Sequence, residues 1–530
     1  MTMKTSDLFV RCLENEGVER VYGVPGEENE DLLFSLRDSD VEFVPTRHEQ
    51  GAAFMANVHG RLTGEAGVCL GTLGPGATNL ITGVADANLD RAPLVAVTGQ
   101  GGLERLHKES HQALDIVNMF GPITKWNAQI SDPDIVHESV RKAFKVAEYE
   151  KPGATHIELP EDLAAEQAEG EPLGTRRVRR PNPDIPSVEE VAERMGEAEK
   201  PLLITGNGAV RTAASRELRE LVGTCDVPVV STYMGKGAVS DAESYSLMTL
   251  DSGDHEEASS AIRDSDLVIT VGYDIAEHDP AGWNPTSETP IVHIDSEPAE
   301  VYEKYDPDVE VVSDIPVALE ALTEKCEQKG IVGCDEDCVD WYAELREHIV
   351  KDVTEIDEEF SVRATLPVLR EVLADDDVLI SDVGNHKMDI AQNYPTYEPN
   401  TCIISNGLAS MGISVPGAVA ADAAVDANVV AATGDGGFLM NGAEIETATR
   451  LGCGFTVVVF NDNDYGLISK KQADHRDESF GTGLTNPDME KFAESFGVEG
   501  RTVEEWSELE DALQEAVGSD TVSIVEVPVE

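Results

Sequence analysis

The sequence predicts an α/β protein of three consecutive domains, each built on a mostly parallel central sheet. Three observations lead there. The chain has 530 residues, which at roughly 100 to 200 residues per domain leaves room for about three. Short apolar runs alternate with stretches of helical period from Val18 to the C-terminus, the pattern of strands joined by crossover helices. That pattern lapses twice, in EQAEGEPLGTRRVRRPNPDIP (166–186), polar and rich in Pro and Gly, and in the acidic stretch 327–360.

Taken in order, the first domain (1–165) carries strands in ERVYGVPG, VEFVP, GVCLGT and PLVAVTGQ, and a last one from Ala154 to Leu159 before Pro160. The second (186–326) has PLLITGNG, VPVVST, SDLVITVG, PIVHID and VEVVSD. A connecting stretch with a helix around WYAELREHIV leads to the third (355–530), with DVLISDVG, TCIISNG, NVVAATGDG, FTVVVFND and TVSIVEVPV. There is no short repeat of solenoid length.

Charge narrows the function classes. Lys and Arg number 39 against 102 Asp and Glu, a net charge of −63, which opposes a nucleic-acid partner. The acids recur along the whole length among apolar periods, so they read as a solvated surface of halophilic character rather than as a disordered tail. No apolar run approaches the length of a membrane span. The N-terminus reads directly into an amphipathic helix, which gives a cytoplasmic expectation. Eight cysteines without a secretory leader read as thiols. Cys334 and Cys338, with Cys326 upstream, form an acidic cluster whose spacing is not that of a zinc ribbon.

The strongest chemical signal is AATGDGGFLMNGAEIETATRLGCGFTVVVFNDND. One strand ends at Gly434-Asp435-Gly436-Gly437, a helix is expected from about Asn441, and the next strand ends at Asn461-Asp462-Asn463-Asp464. A βαβ crossover brings both acidic clusters to the C-terminal sheet edge, where open α/β sheets bind ligands. Two carboxylates and a carbonyl are half of an octahedral Mg²⁺ shell, which takes its other oxygens from water and phosphate. Gly436 and Gly437 open the backbone to a phosphate, and a helix N-terminus favours the anion. Taken singly, G-D-G is equally a tight turn and N-D-N-D a loop of Asx-turns; together, between two strands, they read as a metal-bridged diphosphate site.

In the first domain, Glu49 stands at a strand-to-helix corner, where by itself it is an acidic residue favoured in a first helical turn. Gly74-Pro75-Gly76-Ala77-Thr78-Asn79 has the look of a phosphate loop but lacks the Lys-Ser/Thr of a P-loop. His107 and His111 read as an exposed helical pair.

R-H-E-Q-G-A, L-G-P-G-A-T-N, S-D-V-G-N-H, S-N-G-L-A-S-M-G and the G-D-G to N-D pair follow one another from the first helix to the final strand. In that order they resemble the thiamine diphosphate enzymes of the acetolactate synthase and pyruvate oxidase group. HQALDIVNMFGPITKW, TYMGKGAVS, VGYDIAEHDPAGWNP and IVHIDSEPAEV look most like the catabolic acetolactate synthases. The resemblance implies a pyrimidine-binding first domain, a central domain and a diphosphate-binding third domain. It implies thiamine diphosphate and Mg²⁺ as cofactors, small 2-oxo acids as substrates, and a homodimer or homotetramer with active sites between subunits; a regulatory subunit stays open. The arginine-bearing flavin motif of the biosynthetic enzymes is missing where Gly272 to Asp279 stands, which speaks against a tight requirement for FAD.

Residue by residue, the resemblance places the Glu49 carboxyl on the pyrimidine N1′, Gln112 near the reacting carbon, and Pro75 and Asn79 on the pyrimidine side. Met411 matches the wedge under a bent cofactor, and the Ala409 carbonyl faces the 4′-amino group. Asn385, His386, Gly436 and Gly437 map to diphosphate contacts, Asp435 and Asp462 to metal ligands, and Asp464 to the backbone carbonyl ligand. Met388-Asp389 departs from the usual Met-Trp. The implied reaction joins two pyruvates into 2-acetolactate with loss of CO₂. The alternatives are a related carboligase or decarboxylase on another 2-oxo acid, and a flavin-dependent pyruvate oxidase.

Overall fold

A computed structural model describes residues 2–176, 178–250, 256–354 and 359–529. The expected third-domain limits at 355 and 530, and residue 1, lie outside them. Three six-stranded sheets, parallel throughout, follow one another along the chain. The first holds β2 (Arg20–Gly23), β3 (Glu42–Pro45), β4 (Gly67–Gly71), β5 (Leu94–Gln100), β6 (Trp126–Gln129) and β7 (Ala154–Pro160), in the order β3-β2-β4-β5-β7-β6. Beside it β1 (Thr2–Lys4) pairs antiparallel with β8 (Gln167–Glu169), so the stretch read as a linker opens with a short strand.

The central sheet has β9 (Pro201–Thr205), β10 (Val229–Ser231), β11 (Ser246–Thr249), β12 (Leu267–Val271), β13 (Ile291–Asp295) and β14 (Val309–Val312), ordered β11-β10-β9-β12-β13-β14. The third has β15 (Val378–Ser381), β16 (Cys402–Ile404), β17 (Val429–Gly434), β18 (Thr456–Asn461), β19 (Glu499–Thr502) and β20 (Ser523–Pro528), ordered β16-β15-β17-β18-β20-β19. The first and third sheets thus share one topology. Their inner strands are buried on both faces, which is why they read as near-continuous apolar runs. In each sheet the order reverses beside the first strand, and the crevice at the carboxyl ends there is the place an α/β sheet offers a ligand.

The first and third domains share one apolar core. In it the Glu49–Thr63 and Pro75–Leu89 helices pack with Ser414–Ala424 through Ala52, Ala53, Val58, Val84, Ala418 and Val419. Small side chains on all three helices let the backbones approach closely. Among the described residues no helix is long and apolar enough to cross a membrane.

Two local expectations are corrected. Cys334 and Cys338 form a disulfide rather than remaining thiols, their Cα atoms 5.1 Å apart at the entry to the Glu336–Thr354 helix. The other six cysteines are free and buried. His107 and His111 are not a helical pair. They lie in an exposed loop, where Gln112 at φ 54° takes a left-handed backbone that a helix cannot continue through.

Candidate functional site

The third sheet presents its carboxyl edge to a cavity of about 480 Å³. Most of the lining leaves the end of a strand or the loop beyond it: Val383 to His386 and Asp389 after β15, Ala409 and Met411 after β16, Gly434 to Gly437 after β17, Asp462 with Asp464 to Ile468 after β18, and Val529 after β20; Glu359 and Ser361 to Arg363, ahead of β15, complete it. The residues expected as diphosphate and metal contacts, Asn385, His386, Asp435, Gly436, Gly437, Asp462 and Asp464, all line it, as do Ala409 and Met411, expected at the cofactor's middle. Asp389, the departure from Met-Trp, lines it too.

The helix after β17 starts at Asp435, six residues before the expected Asn441, with Gly434 as its N-cap. Gly436 and Gly437 are therefore already helical, which sequence reasoning missed because two glycines in a first turn look like a loop. Asp435 is buried and shares its surroundings with Asp462. Burial, reinforced by the charge of Asp435, pushes the Asp462 carboxyl up to about 6, although the Asp464 N–H donates to it at 2.9 Å. Two carboxylates held together at this cost suit a divalent cation, whose charge removes the repulsion. The N-D-N-D segment is also the Asx-turn loop that its composition allowed: Asn463 N–H donates to Asn461 Oδ1 at 3.1 Å, and Asp464 N–H to Asp462 Oδ1. Gly466 is needed where it stands, since a Cβ there would lie 2.4 Å from Asp462 Oδ2.

His386 fills a slot between Gly384 and Gly434, with its ring 6.1 Å from that of Phe460. It is 4% exposed, and its Nε2 has no partner among the described residues. Burial holds its pKa down at about 4, against the pull of Asp382, so the ring is neutral and has one nitrogen free for a ligand that supplies the missing hydrogen bond.

Asp382 is a residue the sequence reading missed. Fully buried at the end of β15, it accepts from Gly412 N–H (2.8 Å), Ser414 N–H (3.0 Å) and Ser414 Oγ (2.8 Å). It thereby holds the loop in which Ala409 takes φ 54° and Met411 faces the cavity. Its position within S-D-V-G-N-H was the available signal. Asn486, whose amide donates to Asp435 Oδ2 and to Asn461 Oδ1 at 2.9 Å, sits in a polar loop with no such signal.

Glu49, Pro75, Asn79 and Gln112 gather at the carboxyl edge of the first sheet instead. Glu49 is the first residue of its helix, 8% exposed, and Asn79 Nδ2 donates to Glu49 Oε2 at 2.9 Å. Gly74, at φ 50°, closes against Gln112, so that a Cβ there would lie 2.7 Å from its carbonyl oxygen. Among the described residues, none of the first domain lines the third-domain cavity. Glu49, Pro75, Asn79 and Gln112 of the same chain therefore lie outside that cavity.

The matching edge of the central sheet carries a buried cluster of charged side chains. Lys151 Nζ reaches in to Asp274 (2.6 Å) and Asp295 (3.1 Å). Glu277, whose carboxyl burial pushes up to about 7, accepts from Asn207 N–H and Thr232 Oγ1.

Three family models match the chain: the thiamine pyrophosphate enzyme N-terminal TPP binding domain over 3–119, the central domain over 188–322, and the C-terminal TPP binding domain over 382–527. The chain is 32% identical to the acetolactate synthase of Bacillus subtilis (strain 168), covering 99% of this chain and 93% of that protein. It is 33% identical to the catabolic acetolactate synthase of Raoultella terrigena, over 99% and 95%. A probable acetolactate synthase large subunit of Methanocaldococcus jannaschii is 31% identical over 100% of this chain and 92% of its own length.

Proposed function

Because the chain belongs to the acetolactate synthase family of thiamine pyrophosphate enzymes, we propose that it joins two pyruvates into 2-acetolactate with release of CO₂, using thiamine diphosphate and Mg²⁺ in sites shared between two copies. One observation carries the reading. The metal-type carboxylates and the orphaned His386 meet in one cavity, while Glu49, Asn79 and Gln112 meet at the equivalent edge of a second sheet of the same topology. A second copy that sets its first-domain edge over this cavity completes the site.

The donor set fits the cofactor at both ends. Asp435 and Asp462, with the main-chain carbonyl of Asp464, would hold Mg²⁺; Asn385, the free nitrogen of His386 and the backbone at Gly436 and Gly437 would hold the diphosphate. Bound thiamine diphosphate supplies an acidic carbon that adds to a 2-oxo acid and then accepts the electrons left by decarboxylation. The protein's part is placement. Glu49, kept in register by Asn79, would share a proton with the pyrimidine nitrogen; Met411 would pack against the cofactor; the Ala409 carbonyl would accept from its amino group; Gln112 would orient the substrate carbonyl.

The test is turnover of pyruvate by full-length protein stripped of metal and cofactor and then resupplied. The reading requires consumption that depends on thiamine diphosphate and Mg²⁺, with acetolactate and CO₂ in equal amounts. Acetaldehyde as the main product, acetyl phosphate formation with oxygen uptake, or inertness to pyruvate beside activity on another 2-oxo acid would overturn it.

A further inference from the structure

Glu444 is a buried carboxylate with a job in another domain. It is 1% exposed and lies in the third domain, at the end of the short turn Gly442–Glu444 that continues the helix headed by Asp435. Its Oε1 accepts from Arg47 N–H at 3.0 Å and from His48 N–H at 3.1 Å, and its Oε2 accepts from Thr447 Oγ1 at 2.6 Å. Arg47 and His48 are the two residues before Glu49, and His48 is the N-cap of the helix that Glu49 begins. The His48 side chain caps only Gln50 N–H. The backbone donors of the corner itself are therefore satisfied from across the domain boundary.

The approach is close by construction. A Cβ at Gly51, in the first turn of that helix, would lie 2.6 Å from Glu444 Oε1. The same segment makes two more contacts with the corner: Glu446 lies 3.7 Å from Arg47, and Arg450 donates to the Pro45 carbonyl. Burying a carboxylate is expensive unless hydrogen bonds offset the lost solvation, and this one directs its bonds at the turn that aims Glu49.

We infer that Glu444 is a positioning residue for the reaction: its carboxylate fixes the backbone of Arg47 and His48 and so sets where the Glu49 carboxyl stands. The inference rests on the proposed contact of Glu49 with the cofactor. Glu444 itself touches no substrate. A shift of about 1 Å at a reacting group is worth on the order of a hundredfold in rate, so loss of the clamp is expected to slow proton exchange at the thiamine diphosphate C2 by about tenfold to a hundredfold.

The experiment uses the full chain and five variants: Glu49→Gln, Glu444→Met, which keeps the volume without an acceptor, Glu444→Gln, which keeps Oε1, Gly51→Ala, which pushes the carboxylate away, and the double variant Glu49→Gln/Glu444→Met. C2 proton exchange of bound thiamine diphosphate with Mg²⁺ is read by quenched-flow NMR, and amide exchange at Arg47 and His48 is read in cofactor-free protein. Slow exchange in Glu444→Met and Gly51→Ala, near wild-type exchange in Glu444→Gln, loss of amide protection in Glu444→Met, and a double variant no slower than Glu49→Gln alone support the role. Glu49→Gln exchanging at the wild-type rate overturns the reading of Glu49 and this inference with it. Slow exchange in Glu49→Gln beside unaltered Gly51→Ala and Glu444→Met, or losses that multiply in the double variant, overturn the positioning role alone. Should Glu444→Met fail to fold, unaltered exchange in Gly51→Ala decides against it.

Discussion

Replacing His386 by Ala tests the proposed diphosphate half-site, and the expected effect follows from three features of the structure: the ring is buried, Nε2 has no partner among the described residues, and burial holds the pKa down at about 4. A neutral imidazole bonding an anionic phosphate is worth about 1.5 to 3 kcal/mol, so thiamine diphosphate should bind roughly 10- to 150-fold more weakly in the variant. Isothermal titration in KCl with saturating Mg²⁺ measures this. The wild-type affinity should also show no imidazole titration between about pH 5.5 and 8, since the ring is neutral throughout. The stability consequence has a definite sign. The unfolded ring titrates at 6.5 and the folded one at about 4, so between these values the unfolded state takes up the proton. Stability is whole above the upper value and falls with pH through the window, by up to about 3 kcal/mol. His386→Ala should therefore flatten the acid limb of the melting curve. Affinity that climbs on acidification with the slope of one imidazole, or a variant that binds as tightly as wild type, would refute the reasoning.

Asp435→Asn and Asp462→Asn should each leave the fold intact and raise the Mg²⁺ needed for half-maximal activity at least about tenfold; an unchanged metal requirement removes both from the ligand set. Glu277→Gln should flatten the pH dependence of melting near neutrality. In the folded protein the carboxyl keeps its proton up to about 7 against an ordinary 4.5, so stability falls as pH rises through that window. A variant whose melting temperature varies with pH as wild type does would contradict it. With a net charge of −63, the melting temperature should climb with KCl toward about 1 M, where the Debye length is about 3 Å; a flat response would remove halophilic screening from the account.

The sequence by itself determined the class of fold and the run of three sheets, and its resemblance to the family supplied most members of the two proposed half-sites. Buried parallel strands are apolar runs, and the glycine and acid clusters at their ends are local chemistry, visible without a partner. The strands missed within the three main sheets, β6, β11 and β19, are edge strands. An edge strand is short and has only one neighbour to pack against, so its pattern fades. The start of the helix at Asp435 was hidden because propensity disfavours two glycines in a first turn, and the sheet edge overrides it. Only the tertiary structure decided that Asp382 ties down the loop of Met411, that Lys151 reaches Asp274 and Asp295 at the end of the central sheet, and that Glu444 reaches back to His48. These are relations between residues far apart in sequence, fixed by how three sheets pack, and no window of neighbouring residues contains them.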